Sequence, residues 1–130
     1  MTFSVSRRVT ASVEDVWSLL TDTQKWPDWG PSIAGVTPAA APGPAGTGGL
    51  RLGSRGRVRT VLGASLPYTV TAFEPPLFWS WSVAGIPATG HRVLPDPGGC
   101  VVTFTVPWWA PFYLPVCAVA LRRIERLAAR

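Results

Sequence analysis

The stretch from Arg55 to Val106 constrains the fold most, because it consists of short segments joined by turns too short to hold a helix. In one segment Trp79 and Trp81 alternate with serines, a period of two that is typical of a strand. The predicted strands cover residues 55–60, 66–73, 77–84, 89–94 and 100–106. Pro75-Pro76 and Asp96–Gly99 supply turns between them. Parallel strands need long crossovers, so we expect an antiparallel meander.

Before this run, the sequence predicts one further strand and two small helices. The apolar residues of the strand are Phe3, Val5 and Val9. Ser12 with Asp15 forms an N-capping pattern for a helix over residues 12–21. Its apolar stripe consists of Val13, Val16, Trp17 and Leu20. Asp22 can cap a second short helix, which we expect Pro27 to end.

The chain closes with a helix that begins after Pro111 or Pro115. Its apolar stripe consists of Cys117, Ala120, Leu121, Ile124, Leu127 and Ala128. One face of this helix and one face of the curved sheet both need burial, and each can cover the other. We therefore expect an α+β fold in which a curved antiparallel β-sheet wraps around a C-terminal α-helix, with two short helices after the first strand.

Residues Val101–Leu121 form an uncharged stretch of 21 residues that ends at Arg122 and Arg123, as a membrane span can. The prolines at 107, 111 and 115 argue against a continuous helix, and the first part alternates like a strand. We expect a buried strand followed by a helix, and no stable membrane insertion. The N-terminus has no apolar run of signal-peptide length. These features favour a cytoplasmic protein whose two cysteines are free thiols.

The charge and composition exclude several classes of function. With 12 basic and 7 acidic residues, the formal net charge is +5, and 47% of the residues are hydrophobic, which excludes general disorder. Arg51, Arg55, Arg57 and Arg59 share one strand parity, so we interpret most of them as a solvent face and expect no nucleic-acid partner. One histidine and two cysteines cannot complete an ordinary zinc site. No motif indicates a cofactor.

A length of 130 residues fits a single domain, and we predict one over residues 1–130. Residues 38–49 (PAAAPGPAGTGG) are small and aperiodic, so we interpret them as a flexible surface loop, with a gate over a pocket as the alternative.

Several strings, in this order, resemble the SRPBCC superfamily of START-related, helix-grip proteins, and within it the polyketide cyclase/dehydrase and lipid-transport-like group. They are Thr10–Asp22, Trp26–Ile33, Gly53–Val58, Val70–Pro76 and Gly90-His91. The resemblance implies a sheet that grips the long C-terminal helix, with an apolar ligand cavity between them. This chain departs from the pattern because its final helix is short, and Pro111 and Pro115 either interrupt it or delay its start.

Such a cavity needs an apolar lining. Trp79 and Trp81 share one strand face, and Phe104 can oppose them across the sheet. These rings either line a pocket for an aromatic ligand or fill a solid core. Trp29 lies where the family often places residues at the cavity mouth. Cys117 and Leu121, on the apolar face of the last helix, are further candidates for ligand contact.

The polar candidates are few. His91 is the single histidine and shares the parity of Val93; it can act as a catalytic acid or base, contact a ligand, or be structural. Tyr68 can donate a hydrogen bond to a ligand carbonyl, or be a core residue. Arg57 is the candidate for holding a carboxylate or enolate.

The leading hypothesis is binding or carriage of a small hydrophobic ligand (aromatic, polyketide-like or lipid-like) in an internal cavity between the sheet and the C-terminal helix. The alternative is a polyketide cyclase/dehydratase-type enzyme that uses a few polar cavity residues. A third hypothesis is a membrane-peripheral or surface-interaction module that uses the basic face and Trp108-Trp109.

Overall fold

The computed structural model describes residues 2–38 and 50–128. Seven strands and three α-helices make up the described chain. The strands are β1 (Thr2–Val9), β2 (Ile33–Pro38), β3 (Arg55–Thr60), β4 (Ser65–Glu74), β5 (Phe78–Val83), β6 (Ile86–Asp96) and β7 (Gly99–Pro107). The helices are α1 (Val13–Thr21), α2 (Trp26–Trp29) and α3 (Leu114–Ala128). Single 3-10 turns precede α2 at Thr23–Lys25 and α3 at Pro111–Tyr113.

The sheet is the predicted antiparallel meander. Its strand order is β1-β7-β6-β5-β4-β3-β2, and every neighbouring pair is antiparallel. From β3 to β7, short turns place each strand beside its predecessor, and β7 returns to pair with β1. The α+β class and the helix-grip arrangement are therefore confirmed. The strand β2 was not predicted from the sequence.

The start of α1 follows the predicted cap. The hydroxyl of Ser12 accepts a hydrogen bond from the Asp15 backbone N–H at 3.1 Å. The prediction for the second helix was wrong in one respect: Pro27 does not end it but lies in the first turn of α2. The fixed φ of proline suits that position, where its missing N–H would have had no helical partner.

One hydrophobic core lies between the sheet and the helices. On β7 every second residue, from Cys100 to Val106, is buried, as the alternation predicts. The buried face of α3 consists of Cys117, Ala120, Leu121 and Ile124. Pro115 lies in the first turn of α3 and Pro111 in the turn before it, so of the two predicted effects the prolines delay the helix and do not interrupt it. The predicted loop over 38–49 falls outside the described residues, apart from Pro38 at the end of β2.

Candidate functional site

The larger of two neighbouring cavities has a volume of about 300 Å³ and opens at one end of the sheet. Its walls come from the last residues of β3, β5 and β7, the first residues of β2 and β6, Leu66 of β4, and the connection into α3. The lining residues are Ser32, Ile33, Val58, Thr60, Leu66, Trp81, Val83, Ile86, Pro87, Ala88, Thr89, Val106, Pro107, Trp109, Ala110, Phe112 and Tyr113. None of these side chains carries a charge at neutral pH, so the cavity is an apolar space with a few hydroxyl groups.

This cavity lies beyond the start of α3 and is covered by the connection that precedes the helix. Residues Pro107–Tyr113 contribute to its wall, but no residue of α3 does. The sequence had predicted a cavity between the sheet and the helix itself. That space is almost closed in this protein, because the small and apolar face of α3 packs directly onto the sheet.

A second cavity, of about 30 Å³, is what remains between α2, α3 and the sheet. It is lined by Trp29, Gly30, Pro31, Ser32, Ile33, Trp81, Thr89, His91, Phe104, Tyr113, Val116, Cys117 and Ala120. Such a volume is enough for about one or two water molecules and too small for an organic ligand. Five residues line both cavities and so form the wall between them: Ser32, Ile33, Trp81, Thr89 and Tyr113.

Two hydrogen-bonded pairs hold this shared wall. The hydroxyl groups of Ser32 and Tyr113 lie 2.6 Å apart and share a hydrogen bond in which either can donate. Burial raises the pKa of Tyr113, so its phenol keeps its proton at neutral pH. The second pair consists of Trp81 and Thr89, where the indole Nε1–H donates to Oγ1 at 3.0 Å. The wall therefore offers hydroxyl groups but no ionised group.

A chain of hydrogen bonds leads from this wall to His91. Because Thr89 Oγ1 already accepts from Trp81, its own proton can go to His91 Nε2, which lies 2.9 Å away. His91 Nδ1 lies 3.2 Å from the Trp79 carbonyl oxygen, which can only accept. The geometry therefore assigns the neutral tautomer with the proton on Nδ1, and both ring nitrogens are satisfied.

The surroundings of His91 keep it neutral. Its ring stacks on Trp79 at 4.0 Å and meets Phe104 edge-to-face at 4.8 Å between ring centroids. Burial lowers the pKa of His91 to about 3, against a smaller raising effect of the hydrogen bond to the Trp79 carbonyl. No carboxylate is among its hydrogen-bond partners. Its only acceptor nitrogen is engaged by Thr89, so His91 is poorly placed to take a proton from a ligand at neutral pH.

Most of the predicted aromatic ligand contacts belong to the core. Trp79 is fully buried between His91 and Trp26, whose ring stacks on it at 5.3 Å with an angle of 7° between the ring planes. Tyr68 is buried against Trp26 and Trp81, and it lines neither cavity. Burial raises its pKa. Of the predicted aromatic residues, Trp81 is the one that lines the larger cavity.

The remaining predicted site residues fall into two groups. Trp29, His91, Phe104 and Cys117 line the smaller cavity, where burial also raises the pKa of the Cys117 thiol to about 11. Leu121 and Arg57 line neither cavity. Leu121 is buried in the core, whereas Arg57 is exposed on the outer face of β3 and hydrogen-bonded to Ser65. The parity of β3, which turns Val58 inward, also turns Arg57 away from the cavity.

Sequence reasoning missed most of the lining of the larger cavity. Thr60 and Val83 carry the inward parity of Val58 and Trp81, so that signal was available for them. No pattern in the sequence indicated that residues 107–113 cover a cavity. Among residues 2–38 and 50–128, no group of three or more His, Cys, Asp or Glu side chains is placed to hold a metal ion.

A curved antiparallel sheet that is closed by a C-terminal helix, with two small helices after the first strand, defines a helix-grip domain of the SRPBCC type. The chain belongs to the family described as polyketide cyclase / dehydrase and lipid transport, whose model matches residues 1–130. The resemblance predicted from the sequence strings is thus confirmed. A search of curated proteins found no significant match.

Solved structures agree on the fold. The chain is similar to protein MLL2253 from Mesorhizobium loti (TM-score 0.73, 17% identity, 98% of this chain and 96% of that one). It is also similar to XoxI from Bacillus cereus (TM-score 0.71, 14% identity, 98% and 95%). A third similar structure is Ms6760 from Mycobacterium smegmatis (TM-score 0.65, 18% identity, 97% and 89%). At these identities the likeness establishes the fold alone.

Within the described residues, none of the helices has both the length and the hydrophobicity to span a bilayer.

Proposed function

We propose that this protein binds or carries one small, mainly apolar molecule, of aromatic, polyketide-like or lipid-like character, in the 300 Å³ cavity. The observation that carries the proposal is the combination of volume and lining: an open space of about 300 Å³ whose walls hold no charged side chain. That volume is at the lower end of the range for small-molecule sites, ~300–1,000 Å³. It favours a ligand of one or two fused rings, or a short acyl chain, over a whole diacyl lipid.

Affinity would come mainly from the burial of apolar surface. A bicyclic ligand that buries about 200 Å² would gain roughly 5 kcal/mol before the cost of immobilising it. Trp81 and Val58 offer flat and branched surfaces for this contact at the inner end, and Phe112 and Ile86 at the mouth.

A single polar group on the ligand would find partners at the wall. The Oγ1 of Thr60 is buried and has no hydrogen-bond partner among the described residues, although Thr60 lines the cavity. This oxygen is screened from the open space as well as from other polar groups, so a ligand bonds to it only after the Thr60 side chain turns toward the cavity. That turn would pair a hydroxyl that is otherwise costly to bury. Ser32 and Tyr113 offer two further hydroxyl groups. We therefore propose that the ligand carries a hydroxyl or carbonyl group.

The alternative is a cyclase or dehydratase activity, which the family description includes. Such a reaction needs a group that moves protons at the substrate. The larger cavity contains no histidine or carboxylate, and His91 behind the wall is neutral and fully hydrogen-bonded. Binding without turnover is the function that this geometry supports better.

The free thiols of Cys100 and Cys117 support a reducing compartment, and we propose the cytoplasm.

An NMR titration with 2-naphthol tests the proposal. The indole N–H of Trp81, which donates to Thr89 at the wall, should shift with saturation. The indole N–H of Trp26, which donates to the Leu20 carbonyl oxygen inside the core, should stay in place and serves as the internal control. If Trp81 does not respond to 2-naphthol, the proposed site is wrong. Naphthalene carboxylate and naphthalene sulfonate, tested beside it, should bind more weakly because the lining holds no cation.

A further inference from the structure

Large exposed apolar side chains concentrate around the mouth of the cavity. Among the described residues, ten large hydrophobic side chains are exposed, and six of them belong to three connections at one end of the sheet. We call these connections, with the strand residues that border them, the mouth loops: residues 60–64 from the end of β3 to β4, residues 84–87 from the turn after β5 into the start of β6, and residues 107–113 from the end of β7 to α3. The six side chains are Val61, Leu62, Ile86, Trp108, Trp109 and Phe112.

The mouth loops form one surface although they are far apart in sequence. Thr60, Ile86, Trp109 and Phe112, from all three loops, line the same cavity. Their tips stand out from the fold: Leu62 is 93% exposed, Phe112 73% and Trp108 62%. A cluster of exposed apolar side chains of this kind is typical of an interaction site, because exposed apolar residues on soluble proteins are usually scattered singly.

This surface also lacks charge. The mouth loops contain no Asp, Glu, Lys or Arg. The uncharged stretch continues beyond two of them: around the first loop it covers Thr60–Phe73, and around the third loop it covers Pro97–Leu121. The first charged residue beside the loops is Arg59, which directly precedes Thr60 and is exposed. Arg57 and Arg55 continue the row along the outer face of β3. An uncharged apolar tip rich in tryptophan, with basic residues behind it, has the composition of proteins that enter the membrane interface.

We propose that the mouth loops dock on a lipid bilayer surface, with Leu62, Trp108 and Phe112 inserted at the headgroup level. A bilayer fits better than a protein partner because the contacts are separate projecting tips and not a groove or a flat sheet edge. The net charge of +5 and the arginines of β3 favour a bilayer that contains anionic lipid. The cavity opens between the inserted tips, so an apolar ligand would pass between bilayer and cavity without crossing water.

Vesicle flotation tests this proposal. Wild-type protein is mixed with vesicles of phosphatidylcholine alone and of phosphatidylcholine with phosphatidylserine, at low and high salt. The test variant combines Leu62→Ala and Trp108→Ala, two exposed residues that line neither cavity. The matched control combines Leu52→Ala and Leu94→Ala, which are exposed at the opposite end of the sheet. We expect wild type and control to float with the vesicles and the test variant to partition about tenfold less. Phosphatidylserine should increase binding at low salt.

Four results would overturn the proposal. Three are no flotation of the wild-type protein with either vesicle, an equal loss in the control variant, and a wild-type dimer that the test variant dissociates in the absence of vesicle binding; the fourth comes from the titration described below. The third result would assign the mouth loops to a contact between copies of this chain. A 2-naphthol titration of the test variant keeps the two proposals apart. Retained 2-naphthol binding with lost flotation separates docking from the ligand site, whereas loss of both means that the substitutions disturbed the cavity and the membrane proposal fails.

Discussion

At the scale of single residues, His91 is a side chain capable of acid–base chemistry that has a structural role in this protein. Its two ring nitrogens bind Thr89 and the Trp79 carbonyl oxygen, which ties β6 to β5 within the core. The stacked rings of Trp26, Trp79 and His91 then fill the space in which a deeper ligand cavity would lie. The residue that sequence reasoning named as a candidate acid or base thus closes the inner end of the site.

The depressed pKa of His91 predicts an acid sensitivity that the variant His91→Gln should lack. The folded-state pKa of about 3 is below the ordinary value of 6.5, so between these values the unfolded chain binds more protons and stability falls as the pH falls. From pH 7 to pH 4.5, His91 should cost the wild type roughly 2–3 kcal/mol of unfolding free energy. Urea unfolding at both pH values measures this.

The glutamine side chain of the variant keeps an amide that can bond to Thr89. For each protein, the decrease in unfolding free energy at pH 4.5 is measured relative to its own value at pH 7. Carboxylate titration affects both proteins alike, so the difference between the two pH dependences isolates His91. Parallel pH dependences in wild type and variant would contradict a buried, neutral histidine.

Thr60 supports a second prediction at this scale. Thr60→Val removes a buried hydroxyl that has no partner among the described residues and keeps the shape of the side chain. Stability should therefore hold or rise by up to ~1 kcal/mol. The affinity for 2-naphthol should fall severalfold while that for naphthalene stays constant, as two calorimetric titrations would show. An equal loss for both compounds would mean that Thr60 contributes shape only.

At the scale of elements, the structure depends on how β1 meets the turn between β6 and β7. Val9, the last residue of β1, pairs with Cys100 near the start of β7, and an exposed ion pair of Arg8 with Asp96 spans the same corner. Gly99 lies where the backbone of β1 passes closest. A Cβ on this residue would overlap the carbonyl oxygen of Val9 and approach the Thr10 Cα within 3.1 Å.

Gly99→Ala should therefore destabilise the protein by more than about 2 kcal/mol, since backbone atoms would have to move apart. Gly63→Ala is the control: its Cβ would meet nothing within 4 Å, and only the positive φ of 95° opposes it. Thermal unfolding of the two variants gives the comparison. A smaller loss of stability for Gly99→Ala than for Gly63→Ala would show that the corner is looser than described.

The elements also show what the sequence could and could not predict. Alternation predicted β3, β5 and β7, and helical spacing predicted the buried face of α3, because each pattern reports which side of an element faces the core. The strand β2 escaped prediction because Gly35 and Pro38 weaken its alternation. Pro27 was misread because proline both ends helices and suits their first turn.

The candidate site was harder to predict for a physical reason. Parity shows that Tyr68, Trp79 and Trp81 point inward, but whether inward rings meet or leave a gap depends on the elements opposite them. Here Trp26 of α2 fills the space in front of Trp79 and Tyr68, so the cavity is displaced toward Trp81 and the mouth loops. That displacement is a property of the assembled fold, and no local pattern records it.

At the scale of the whole molecule, the fold divides into a solid part and a hollow part. The solid part is the end where α1, α2 and α3 pack on the sheet, with only about 30 Å³ left open. The hollow part is the end where the sheet extends beyond the first residue of α3 and the connection Pro107–Tyr113 covers the space. Both proposals for this protein place its activity at the hollow end, with a ligand inside and a bilayer at the mouth.

Filling the 300 Å³ space tests most directly whether it is a ligand site. Ala88→Phe places a ring at the cavity wall, and Ala34→Phe adds the same ring at an exposed position of β2 that lines neither cavity. Calorimetric titration with 2-naphthol, on both variants and the wild type, should show binding that falls at least about tenfold in Ala88→Phe and stays unchanged in Ala34→Phe. Equal binding by all three proteins would contradict the account.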